Sequence, residues 1–205
     1  EPSPKELAEI YTPTTAELAF VDGIAKRPLV RTAALLHLKL LQRLGHFIRL
    51  AEVPAAIRDH IVAQAGLARP PTFADLKRFD GSGSRQKIMA ALRRYLNVRP
   101  LDDAGYAWLD HIAETAADTK HAIADVINVM LEELVHHRYE LPAFSTLDRL
   151  AQRARNKINR EHFASITALL TPQTKALIDG LLKTQSGETV SGWQMLKREP
   201  KKPTN

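Results

Sequence analysis

The sequence predicts an all-α protein built from two consecutive small helical modules, helix-turn-helix-like in layout and joined by a hinge that contains glycine and serine. Three observations predict it. Apolar residues recur at helical spacing throughout the chain, and strand-like alternation persists nowhere. Helix start and stop residues punctuate that pattern. An apolar content of 44% over 205 residues, with only 6% aromatic, suffices for an aliphatic core.

A helix is expected over 14–21, followed by a strong one over 29–44. There Leu36, Leu40, Leu41 and Leu44 form one apolar stripe and Gly45 can supply a positive-φ stop. A shorter helix over 54–65 opens on Pro54, closes at Gly66 and turns Ile57, Ile61 and Val62 inward. These three helices make the first module, 1–74. Pro70-Pro71 and then Gly81-Ser82-Gly83-Ser84 interrupt the periodicity, which places the hinge at 75–84.

Ser84 is expected to cap a basic helix that ends near Tyr95, and two acidic helices follow over 103–116 and 119–138. Ser145-Thr146-Leu147-Asp148, a Ser-x-x-Asp variant of the capping box, opens a helix to about Leu170. A short helix over 172–182 completes the second module, 85–183. Residues 184–205, with Lys197-Arg198-Glu199-Pro200-Lys201-Lys202-Pro203, read as a polar basic linker to a downstream part.

Net charge is +6, and its distribution says more than its total. Basic minus acidic residues give +2 over 1–74, +5 over 75–100, −7 over 101–144, +3 over 145–170 and +3 over 171–205. A polyanion is drawn to the second and fourth blocks and repelled by the third, so docking would be oriented. The absence of cysteine excludes disulfides, thiolate metal sites and cysteine nucleophiles. No apolar run approaches the roughly 18 residues that span a bilayer, and no signal peptide is visible, so a soluble cytoplasmic protein with no membrane partner is expected. The chain starts at Glu1 rather than Met, so an upstream initiator is expected to be missing.

The helix that opens at Ser145 carries the residues best suited to reading DNA. Arg149, Gln152, Arg153, Asn156, Lys157 and Arg160 lie away from the apolar face of Leu147, Leu150, Ala151, Ala154 and Ile158. Arginine can donate two hydrogen bonds to guanine, and asparagine or glutamine can pair with adenine. A solvated helix with ordinary surface charges is the alternative. The block beside the hinge adds Arg85, Lys87, Arg93 and Arg94, with Ile88, Ala91, Leu92 and Tyr95 on its buried face, or else is a charged linker. In the first module Arg43, Arg58 and Gln64 are candidates under a helix-turn-helix reading that many helical bundles share.

Catalysis finds little support. Glu133 with His136, and Asp118 with His121, have the i, i+3 spacing of di-metal helix bundles, but neither pair sits on the main apolar stripe of Ile123, Ile127, Leu131 and Leu134. No phosphate-binding glycine loop or Gly-x-Ser-x-Gly is present. No catalytic residue, metal ligand or cofactor is therefore assigned to this chain.

Several ordered blocks carry a resemblance. Leu38-Lys39-Leu40-Leu41-Gln42-Arg43-Leu44-Gly45-His46-Phe47, Glu52-Val53-Pro54, Arg93-Arg94-Tyr95-Leu96, Arg99-Pro100 and above all Glu140-Leu141-Pro142-Ala143-Phe144-Ser145-Thr146-Leu147-Asp148-Arg149-Leu150 resemble the N-terminal region of replicative class II transposases, the Tn-three family. The resemblance implies helical modules that bind the terminal inverted repeats of a transposon as double-stranded DNA. It also implies self-association of the intact transposase, and an RNase H-like Asp-Asp-Glu core with its divalent metal far downstream of this chain. Two linked modules would lengthen the site read by making the second docking event intramolecular. The alternative function is a helical protein-interaction module for transposase assembly or target immunity, with the acidic block 101–144 as its surface.

Overall fold

The structure is a computed structural model that describes residues 2–67, 69–184 and 190–197. It is all-α. Among the described residues the helices are α1 (Pro4–Tyr11), α2 (Thr15–Ile24), α3 (Pro28–Leu44), α4 (Ala55–Gln64), α5 (Phe73–Asp80), α6 (Gly83–Leu96), α7 (Asp103–Thr119), α8 (Ile123–His136), α9 (Phe144–Leu169), α10 (Pro172–Leu182) and α11 (Gly192–Leu196), with a 3-10 turn at Leu50–Glu52. The chain divides into two compact units at the Arg155–Asn156 junction.

In the first unit α3 is the axis. Every residue from Thr32 to Leu41 is buried, because α1, α2, α4, α5, α6 and the 3-10 turn all pack on it. A helix covered on all sides must be apolar nearly all round, and the run of alanine and leucine from Ala33 to Leu41 meets that need except at His37 and Lys39. Gly45 ends the helix at φ +74°, as the sequence predicts. Capping boxes start three of the surrounding helices: Ser3 with Glu6, Thr14 with Glu17, and Thr72 with Asp75.

The segment read as a hinge behaves differently. Leu76 and Phe79 before it, and Ile88 and Leu92 after it, enter the same core as Leu35, Leu36 and Leu38 of α3. Residues 73–80 form α5, and the turn that follows is tied down: Ser82 donates to the Phe79 carbonyl at 2.7 Å and accepts from the Arg85 N–H at 3.4 Å. Ser82 rather than Ser84 therefore caps α6. Asp80 completes the join, accepting the N–H groups of Leu50 and Ala51 at 3.0 and 3.1 Å. The first core thus extends past residue 74 to Leu92 instead of ending before a linker.

Further along this unit, α7 and α8 form a helical hairpin in which Leu109, Ala113, Ala116 and Ala117 of α7 and Val126, Ile127, Met130 and Leu134 of α8 are buried. Helix α9 begins at Phe144, so Ser145 lies inside its first turn, and Asp148 accepts from Gln152 at 2.8 Å. Leu147, Leu150, Ala151 and Ala154 are buried as expected.

The second unit contains the remainder of α9, then α10 and α11, which pack on each other. Its apolar side chains Phe163, Ile166, Leu169, Leu177 and Leu182 are exposed. Residues 185–189 and 198–205 of the predicted basic linker lie outside the described residues.

Candidate nucleic-acid interface

The cations named from the sequence fall into two groups once their surroundings are known. Arg85 is turned inward, 3.6 Å from Asp80, with its side chain only 18% exposed. Arg93 forms a two-pronged ion pair with Glu140, Nε at 2.8 Å and Nη2 at 2.7 Å from the same oxygen, and its guanidinium lies over the Phe47 ring. Arg58 donates to its neighbour Asp59 at 2.9 Å. Arg153 is paired with Asp110 of α7, and Gln152 with Asp148, although both side chains remain exposed. In contrast Lys87 and Arg94 on α6, Arg149 on α9, Arg43 at the end of α3 and Gln64 at the end of α4 are exposed. Asn156 and Arg160 are exposed, and Lys157 half-buried, on the part of α9 that belongs to the second unit.

One cation absent from the sequence reading has a clear structural task. Arg155 donates to the carbonyls of Ala117 and Lys120, at 2.6 and 3.3 Å, and to His121 Nδ1 at 2.9 Å. It satisfies carbonyls that the end of α7 would otherwise leave unpaired. His121 is thereby engaged by a guanidinium, and Glu133 faces His137 at 3.5 Å rather than His136.

Four of the blocks quoted for the resemblance, at 38–47, 93–96, 99–100 and 140–150, meet in space. The backbone N–H of Leu141 donates to the Gly45 carbonyl at 2.8 Å, and Arg99 exchanges backbone hydrogen bonds with Arg138 and Glu140. The Arg99 guanidinium lies over the Tyr139 ring and donates to the His137 carbonyl. His46, Phe47, Arg93, Pro100, Glu140, Leu141 and Pro142 line one open cleft there. These residues clasp the end of α3 and α6 to the segment between α8 and α9. Gly45 is central to this clasp, since a Cβ built on it would lie 2.7 Å from Leu141 Cδ1 in a backbone conformation that favours glycine. Gly45→Ala should therefore cost about 1–3 kcal/mol, from left-handed strain plus displacement of Leu141. Urea denaturation measures it; pairing Gly45→Ala with Leu141→Ala in a double-mutant cycle should show coupling, and purely additive losses would contradict the contact.

A helical unit with outward cations on α6 and α9 is the class of protein this geometry defines. Residues 1–154 match the family model described as a domain of unknown function, DUF4158, and the chain belongs to that family. The match ends one residue before the end of the first compact unit, at 154 against Arg155. The chain is also 28% identical over 123 residues to the transposase for transposon Tn501 of Pseudomonas aeruginosa, a similarity that covers 60% of this chain and 12% of that protein. No helix among the described residues is long and apolar enough to cross a membrane.

Proposed function

We propose that this chain recognises the terminal inverted repeats of a transposon as part of a replicative, Tn-three-type transposase, with catalysis carried by another part of the intact protein. The similarity to a transposase carries this reading. The exposed cations of α6 and α9 support it, because affinity for duplex DNA comes mainly from phosphate neutralisation while specificity comes from groove contacts.

Fluorescence anisotropy of the 205-residue chain on a terminal-repeat duplex and on a base-shuffled duplex, over a salt series, tests the reading. The repeat should bind at least about 10³-fold more tightly, with log affinity falling by about 0.9 per phosphate contact for each unit of log salt. Equal affinity for the two duplexes would refute sequence-specific recognition, and a flat salt dependence would refute docking through phosphates.

A further inference from the structure

We propose that α6 is the helix this chain lays into a groove of duplex DNA, with Gln86, Lys87, Ala90 and Arg94 as its contact face; the proposal rests on the DNA-binding reading above. Ile88, Met89 and Leu92 are buried on one side of α6, and Arg85 turns inward with them. Gly83, Gln86, Lys87, Ala90 and Arg94 are all exposed. At roughly 100° per residue these five share the opposite face: Gly83 and Ala90 run along its centre, Lys87 and Arg94 along one flank and Gln86 along the other.

Charge favours a polyanion here more than anywhere else in the first unit. Residues 75–100 hold seven basic side chains and two acidic ones. Both acids are engaged within the fold. Asp75 closes the Thr72 cap and faces Arg78, and Asp80 accepts two backbone N–H groups and faces Arg85. The outward face of α6 therefore presents cations with no carboxylate among them. The α9 face in the same unit is different, because Asp148 and Asp110 hold Gln152 and Arg153.

Shape points the same way. The major groove is about 12 Å wide and an α-helix with its side chains about 10–12 Å across, so a helix fits it, and a small residue at the centre of the contact face lets the backbone approach most closely. Ala90 is that residue, Gln86 is a type that pairs with adenine, and Lys87 and Arg94 are types that reach guanine or phosphate. Presentation is rigid. A two-residue turn, Gly81-Ser82, joins α5 to α6, and both helices pack on α3. This is the order in which the second helix of a helix-turn-helix pair reads a groove.

The test uses the 205-residue chain on the same two duplexes, with far-UV circular dichroism and melting to confirm that each variant keeps the fold. Lys87→Ala and Arg94→Ala should each weaken both duplexes about tenfold and lower the salt slope by about one. Gln86→Ala should lower the ratio between the duplexes by about 5–100-fold with little change in salt slope. Ala90→Glu, which places a carboxylate and extra bulk at the centre of the face, should abolish binding. If the parent chain binds and these four variants bind as it does, while Arg149→Ala and Arg160→Ala lose affinity, α9 carries the contact and the proposal is wrong. If the parent chain binds no duplex at about 50 mM salt, the DNA-binding reading itself fails.

Discussion

Glu17→Ala should destabilise the first unit by about 3–5 kcal/mol, the cost of leaving a buried charge without its partner. Glu17 and Lys39 are 5% and 7% exposed, and Lys39 Nζ lies 3.3 and 3.2 Å from the two carboxylate oxygens. The carboxylate also accepts from the Thr14 N–H and from the Gln42 amide, both at 2.7 Å. Burial raises its pKa, but the Thr14 N–H, the Gln42 amide and the Lys39 charge outweigh that, and the net shift is downward. Removing it deletes a capping box as well as the pair. Urea denaturation near pH 7 measures the loss. Adding Lys39→Met, which keeps the stem and removes the charge, should recover most of it, since a well-packed apolar replacement of a buried pair is often neutral. A loss below about 1 kcal/mol for Glu17→Ala would show that Lys39 finds another partner or water.

Glu17 also shows what the sequence hid. Ser3-x-x-Glu6, Thr14-x-x-Glu17 and Thr72-x-x-Asp75 are visible capping signatures, and each opens a helix, yet the one used to place a helix start, Ser145-x-x-Asp148, does not cap it. The first and third would have located α1 and α5. Helix α3 was legible from its leucines and Gly45, but its burial on every side was not, because that depends on elements as distant as α6. The Gly81-Ser84 segment misled for a physical reason. Glycine and serine favour turns whether or not the turn is mobile, and only the packing of Leu76, Phe79, Ile88 and Leu92 decides which.

The site followed the same pattern. Residue types identified cations, but pairing across 43 residues for Arg153–Asp110 and 47 for Arg93–Glu140 cannot be read from local composition. The exposed face of α6 was accessible in principle. The sequence alone starts this helix at Ser84, and Gly83 joins Ala90 on its face because Ser82 is the cap. Gly45 and Leu141, which lie in two of the blocks that carry the resemblance, are held together by a backbone hydrogen bond and close packing, so those blocks have a packing role in this fold.

His37 should make the fold lose stability in acid well before most carboxylates titrate. The ring is fully buried in α3, edge-on to Phe47 and tilted against Phe79, and neither nitrogen has a hydrogen-bond partner. Burial, and then the nearby Arg85 charge, lower its pKa from 6.5 to about 3, with Asp80 acting weakly in the opposite sense. The folded state therefore holds His37 neutral while the unfolded chain takes up a proton near pH 6.5. Stability is complete above that pH and falls as pH drops through the window from 6.5 towards 3. At about 1.4 kcal/mol per pH unit, the loss reaches about 3 kcal/mol near pH 4.5. Asp75, Glu6 and Glu17, whose pKa values the fold lowers, contribute only below about pH 4.5, so the window above pH 5 isolates the histidine. His37→Leu, which fills a similar volume without polar atoms, should flatten urea-derived stability between pH 7 and 5 and leave the neutral-pH fold at least as stable. A variant with the parent's slope in that window, or an NMR titration in which the His37 ring protonates near pH 6.5 in the folded chain, would show that water reaches the ring.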